Sequence, residues 1–194
     1  MTLRRGFKSE ANDLAREVRA ELQLDFLSPL DPRKLAAHLE IPIVPLSSFE
    51  EDAPAMAAYF AGTNRGDFSA LTVFRGSMRL IVYNDSHNRG RQASDIAHEL
   101  SHGLLFHEPK PALNAAGCRD WDDDVEEEAD WLAGILLVPD DAAVALARNH
   151  YSDADAARRY DVSEPLMRWR LNVSGARLRA KRMAAKYARL TGRR

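Results

Sequence analysis

Ile96-Ala97-His98-Glu99-Leu100-Ser101-His102 is the stretch on which the reading of this chain turns. In an ideal α-helix each residue advances by about 100°. With His98 at zero, His102 lies at about 40°, so both imidazoles leave the same face. Glu99 lies at about 100°, beside the rings rather than between them. Two histidines at this spacing can share one ion at nitrogen–metal distances of about 2.0–2.1 Å. A carboxylate alongside can reach a water on that ion without displacing it. Taken alone, His98 to His102 also describe two surface histidines on an amphipathic helix.

A third ligand is needed, and the residues just downstream do not supply it. The extended pattern with a third histidine requires Gly at position 105 and His at position 108; this chain has Leu105 and Glu108. His107 falls about 180° round the helix from His98 and is out of reach while the helix continues. The acidic segment Val125-Glu126-Glu127-Glu128-Ala129-Asp130 is the other source. Glu127 falls near 200° from Val125, away from the apolar face of Val125, Ala129, Leu132 and Leu136, and is expected in solvent. Glu126 and Glu128 flank that face on opposite sides. Glu126 has Asp130 one turn on, placed to orient a metal-bound histidine through its second ring nitrogen. Glu128 has only Leu132 there.

The expectation is a Zn²⁺ site with ligands His98, His102 and Glu126, supported by Asp130. Histidine and carboxylate ligation suits zinc, and three protein ligands leave a position for a water acidified to a pKa of about 7. Glu99 is then the general base that takes the water's proton and delivers it to a leaving amine. Tyr83, Tyr151 and His150 are candidates for a further oxyanion donor. Cys118 is a candidate inhibitory thiolate; a lone cysteine is otherwise a small buried apolar residue.

The bulk composition narrows the function classes. The chain has 194 residues, a formal net charge of −2 and one cysteine, so no internal disulfide can form. That usage fits a reducing, cytoplasmic setting. Basic Met1 to Lys8 is followed by no apolar leader core, and the run Trp131 to Val138 is too short to span a bilayer. Charge is segregated: Asp120 to Asp130 holds eight acidic and no basic residues, and Met167 to Arg194 ten basic and no acidic.

Helical spacing is expected over Glu10 to Leu22, with Ser9 as N-cap, and from Asp31-Pro32 through Leu39. Ile41 to Leu46, Ala57 to Phe60, Ala70 to Phe74 and Arg79 to Tyr83 read as strands, the last two joined at Arg75-Gly76-Ser77. Helices are expected over Arg91 to Phe106 and Asp124 to Val138, with a loop from Pro109 to Asp120 between them. Further helices are expected from Pro139, over Asp153 to Tyr160, Ser163 to Leu171 and Gly175 to Leu190. The fold class is α+β: a small, mostly antiparallel sheet packed on a helical metal-binding core. Two regions are expected, 1–150 around the metal and 151–194 helical and basic.

Several ordered pieces together resemble the ImmA/IrrE family of metallopeptidases. They are Ile81-Val82-Tyr83-Asn84, Arg91-Gln92 leading into Ile96 to His102, Glu126 to Asp130, Leu132-Ala133, and Leu136-Leu137-Val138-Pro139. The resemblance implies a reduced gluzincin-like (zincin-like) fold, ligands His98, His102 and Glu126, and Glu99 as base. Ser94, Ser101, Leu132 and Val138 depart from the family's usual residues, none at a ligand position. The resemblance further implies a protein substrate, an Xre-type helix-turn-helix repressor, whose cleavage relieves repression.

Residues 156–172 read helix, turn, helix. As a DNA-binding unit this segment would use Arg168 and Arg170 on phosphates or bases. The reading preferred is a helical region packed on the peptidase, because the turn lacks glycine. The competing function is therefore a DNA-binding regulator with a structural or vestigial metal site; intact Glu99 speaks for the enzyme.

Overall fold

A computed structural model of the chain describes residues 3–62, 64, 66–76, 78–108 and 122–191. The first helix, α1 (Phe7–Glu21), starts at Gly6, whose φ of 90° turns the chain into it. Ser9, expected as the N-cap, lies inside the first turn. The helix begins before the expected Glu10, because Phe7, Ala11, Ala15 and Val18 make the buried stripe. Helix α2 (Pro32–His38) follows its Asp31 cap, which accepts from the Arg33 N–H. Strand β1 (Ile43–Pro45) and a 3-10 turn (Leu46–Phe49) lead to α3 (Pro54–Ala61). The expected strand Ala57 to Phe60 is thus helical. Pro54 sits in the first turn, and an alanine-rich four-residue run is a better helix than strand former.

Strands β2 (Ala70–Arg75) and β3 (Met78–Tyr83) pair antiparallel, and β1 joins the other side of β3 in parallel, giving the order β1-β3-β2. The α+β expectation holds, with a mixed rather than a mostly antiparallel sheet. Gly76, with φ of 62°, turns the hairpin between Arg75 and Met78; Ser77 lies outside the described residues.

Helices α4 (Arg89–Leu104) and α5 (Asp123–Leu137) lie side by side. Helices α6 (Asp140–Arg148), α7 (Asp153–Tyr160), α8 (Glu164–Val173) and α9 (Ala176–Thr191) complete the chain. The central pair is buried from two sides. On one side Ile96, Leu100, Leu132, Ile135 and Leu136 pack with Phe7, Leu35 and Ile81. On the other, Ala93, Ala97, Ala133 and Leu137 pack with Val144, Tyr160, Met167 and Leu171. Small residues let the second layer come close. At Gly90 an added Cβ would sit 2.6 Å from the Ser163 backbone nitrogen, and at Gly134 2.3 Å from the Trp169 ring. Among the described residues no helix is long and apolar enough to cross a membrane.

The helix, turn, helix reading of residues 156–172 holds as backbone, with Asp161 at φ 51° and Ser163 capping α8. Arg170, one of its two proposed contact residues, does not fit. Arg170 is fully buried, donating to the Val138 carbonyl at 2.9 Å and to Asp140 at 2.6 Å. It ties α8 to the start of α6 and cannot face a nucleic acid. Arg168 is held by Glu164 at 2.9 Å and Asp153 at 3.3 Å.

Two stability outcomes follow. Arg170→Ala strands the Val138 carbonyl and Asp140, and should cost about 3–5 kcal/mol in urea denaturation. Gly90→Ala gains helix propensity of about 1 kcal/mol, yet a net loss of roughly 1–3 kcal/mol is expected because the obstructing atoms are backbone.

Candidate metal centre

The loop from β3 into α4 aims the helix that carries His98 and His102. Asn84 is buried and donates to the Phe60 and Phe68 carbonyls at 3.1 and 3.0 Å. Gln92 donates to the carbonyls of Asp85 and His87, and accepts from Arg33 at 2.6 Å. Asn88 caps α4 by accepting from the Arg91 N–H. The buried His87 ring meets Asp95 at 3.1 Å, pinning the loop to the helix one turn before His98. Burial holds the Asp95 carboxyl above its usual range against the pull of His87.

On this helix His98 and His102 project towards α5. Their Nε2 atoms are 3.0 Å apart. Glu126 Oε2 lies 3.1 Å from His98 Nε2 and 3.7 Å from His102 Nε2. A tetrahedral ion with bonds of 2.0–2.1 Å has donors about 3.3 Å apart. The three atoms already stand at that spacing, and two imidazoles with a carboxylate are a donor set suited to zinc. His98, His102 and Glu126 can therefore hold a metal ion.

Charge stabilises the arrangement. Burial works against protonation of His98, but the Asp130 and Glu126 carboxylates outweigh it and push its pKa up to about 10. Burial likewise works against ionised Glu126, and the two histidines hold it well below the usual carboxylate range. Asp130 Oδ1 stands 2.8 Å from His98 Nδ1, behind the ring, as its one-turn offset from Glu126 implied.

Glu99 is buried, and its Oε2 accepts from the Thr72 hydroxyl at 2.5 Å. Thr72, on β2, was not singled out from sequence, because a strand-to-helix contact across 27 residues leaves no local pattern. A cleft of about 410 Å³ opens here, lined by Asp67, Phe68, Ser69 and Ala70 on the strand side and by Ser94, Asp95, His98, Glu99, Glu126 and Asp130 on the helical side. Ser101, at a position where the resemblance leads one to expect Gly, is fully buried and bonds the Ala97 carbonyl at 2.8 Å, so it changes nothing facing the cleft.

Some expectations fail. Glu127 is half-buried rather than solvated, because α1 also packs against α5. None of Tyr83, Tyr151 and His150 lines the cleft. Tyr83 lies under the Arg33 guanidinium and Tyr151 under that of Arg159. Cys118 and the loop Pro109 to Asp120 lie outside the described residues.

His107 also departs from expectation. Helix α4 ends at Leu104, and the N–H of His107 bonds the His102 carbonyl at 3.0 Å while that of Phe106 bonds Gly103 at 3.2 Å. This pair of bonds is the Schellman reversal. It carries His107 back, with its Nδ1 2.9 Å from His102 Nδ1. Glu128 then finds a partner in His107 at 3.6 Å and in Arg4 at 2.9 Å. Burial and the neighbouring His102 lower the His107 pKa.

The ligand choice has a direct test. Glu126→Gln should weaken zinc binding, followed by chelator competition, by more than the roughly 10–100-fold that loss of a supporting contact costs. Glu127→Gln should bind as the unsubstituted chain does.

No curated protein matches the chain. Residues 47–172, from the 3-10 turn into α8, match the IrrE N-terminal-like domain. With the match covering most of the chain and both halves of the metal centre, the protein belongs to the IrrE N-terminal-like domain family of peptidases.

Proposed function

We propose that the chain is a zinc-dependent metallo-endopeptidase of the cytoplasm that cleaves a helix-turn-helix repressor of the Xre type. The observation that carries the enzymatic reading is the meeting of three donor atoms, two of whose residues, His98 and Glu126, line one cleft with Glu99. A site built only to brace the fold has no use for a carboxylate that binds no metal yet stands beside the ligands. The repressor as substrate rests on the family resemblance.

When bound by His98, His102 and Glu126, zinc supplies a Lewis acid that acidifies water and polarises a carbonyl. Glu99 takes the proton of the attacking water and passes it to the departing amine. Thr72 holds one oxygen of that carboxylate, which fixes its orientation and leaves the other for the proton. Asp130 accepts the His98 ring proton and keeps the opposite nitrogen turned to the ion. Ser94, where the resemblance leads one to expect Phe, lines the cleft, so this chain offers a peptide more room there. We assign peptidase chemistry to residues 1–150 and docking of the repressor to 151–194, whose helix α9 carries Arg177, Arg179, Lys181, Arg182, Lys186 and Arg189 on one stretch.

Zinc-loaded protein mixed with the repressor encoded beside it should yield two fragments with one new amino terminus. Glu99→Gln should keep its zinc and lose roughly 10²–10⁴-fold in cleavage rate. A Glu99→Gln protein that cleaves at the unsubstituted rate would defeat the proposal.

A further inference from the structure

We propose that His107 is a positioning residue of the metal centre, accepting the ring proton of His102 and so holding His102 Nε2 for the ion. This rests on the metal-site reading above and extends it to a ligand with no carboxylate of its own. His102 presents Nε2 to the donor triangle, 3.0 Å from His98 Nε2. Its other nitrogen, Nδ1, faces His107 Nδ1 at 2.9 Å. Two ring nitrogens at this distance require one donor and one acceptor. An ion on His102 Nε2 occupies that lone pair, which puts the His102 proton on Nδ1. His107 must then accept at Nδ1 and carry its own proton on Nε2. That atom is buried and faces Glu128 Oε2 at 3.6 Å. Glu128 is in turn held through Oε1 by Arg4 at 2.9 Å. The tautomers of both rings are thus set in series from the metal outward.

The backbone delivers the His107 ring to this place. The reversal that returns His107 needs a left-handed residue, and here it is Phe106 at φ 54°, with 91% of its surface exposed. Glycine is the unstrained choice at such a position. Gln23, Glu40, His150 and Asp161 take the same conformation after other helices of this chain. What the turn achieves is the placement of the next residue, whose ring lies edge-on to His102 at 5.1 Å between centroids. The two metal-binding histidines are therefore backed differently: His98 by the carboxylate of Asp130, His102 by an imidazole. Both partners fix ring orientation, but only Asp130 adds a negative charge.

Zinc affinity of the full chain, measured by chelator competition, tests the assignment. His107→Phe, which removes the acceptor, should weaken zinc binding by about 10–100-fold. His107→Gln, whose side-chain oxygen can accept the same proton, should recover most of that loss, which a purely space-filling role would not allow. Imidazole ¹⁵N–¹H correlation spectra of the unsubstituted zinc-loaded protein need no variant, and should show His102 protonated at Nδ1 and His107 at Nε2. Unchanged affinity in a folded His107→Phe, or a His107 protonated at Nδ1, overturns the inference and leaves the proposed function standing. An unsubstituted chain that takes up no zinc overturns both.

Discussion

Three lone pairs held within 3.7 Å of one another, on two helices whose His98 and Glu126 are 28 residues apart in sequence, are the constraint around which the molecule is organised. Without an ion, His98 and Glu126 are held together as imidazolium and carboxylate. With one, the cation takes the place of the proton. In either state α4 and α5 must keep their spacing to a few tenths of an ångström, because metal bonds vary little in length. The fold meets that demand by burying the pair between two separate apolar clusters.

The two clusters divide the labour. On the sheet side, large aliphatic residues of α4 and α5 meet Phe7 and Ile81. On the far side alanines, and Gly90 against the Val162–Ser163 backbone, let α7 and α8 approach closely. Interiors packed to crystal-like density transmit displacement rather than absorb it. The positions of the His98 and His102 imidazoles are therefore fixed in part by apolar side chains such as Leu132 and Met167. Arg170 belongs to the same scaffold. Its position in a basic stretch made it a candidate for contact with nucleic acid, whereas its guanidinium closes the carbonyl end of α5 at Val138.

Around the donors, the supporting contacts come from every direction of the fold. Asp130 reaches back along α5, Thr72 comes from the edge of the sheet, and His107 is returned by the reversal at the end of α4. Each fixes the orientation of one functional group, and an oriented group loses little entropy when the ion or substrate arrives. The cleft borders the start of β2, an edge strand, with Asp67 to Ala70 on one side and residues of α4 and α5, Glu99 among them, on the other.

Much of the centre was legible along the chain because it obeys local periodicity. Four residues make one helical turn, so His98 and His102 had to share a face once the segment was helical, and the same rule joined Glu126 to Asp130. Caps such as Asp31 and Ser163 were readable for the same reason: their hydrogen bonds close within three residues. Glu127, Thr72 and His107 were not readable. Glu127 is half-buried because α1 packs on α5, Thr72 meets Glu99 only when β2 lies on α4, and His107 reaches His102 only because the helix stops at Leu104. The segment around Ala57 shows the limit from the other side, since a short apolar run does not say whether it is strand or helix. Sequence alone determined which residues stand on a common helical face. Tertiary structure alone decided what lies across from each face, because those contacts join segments that no short-range period relates.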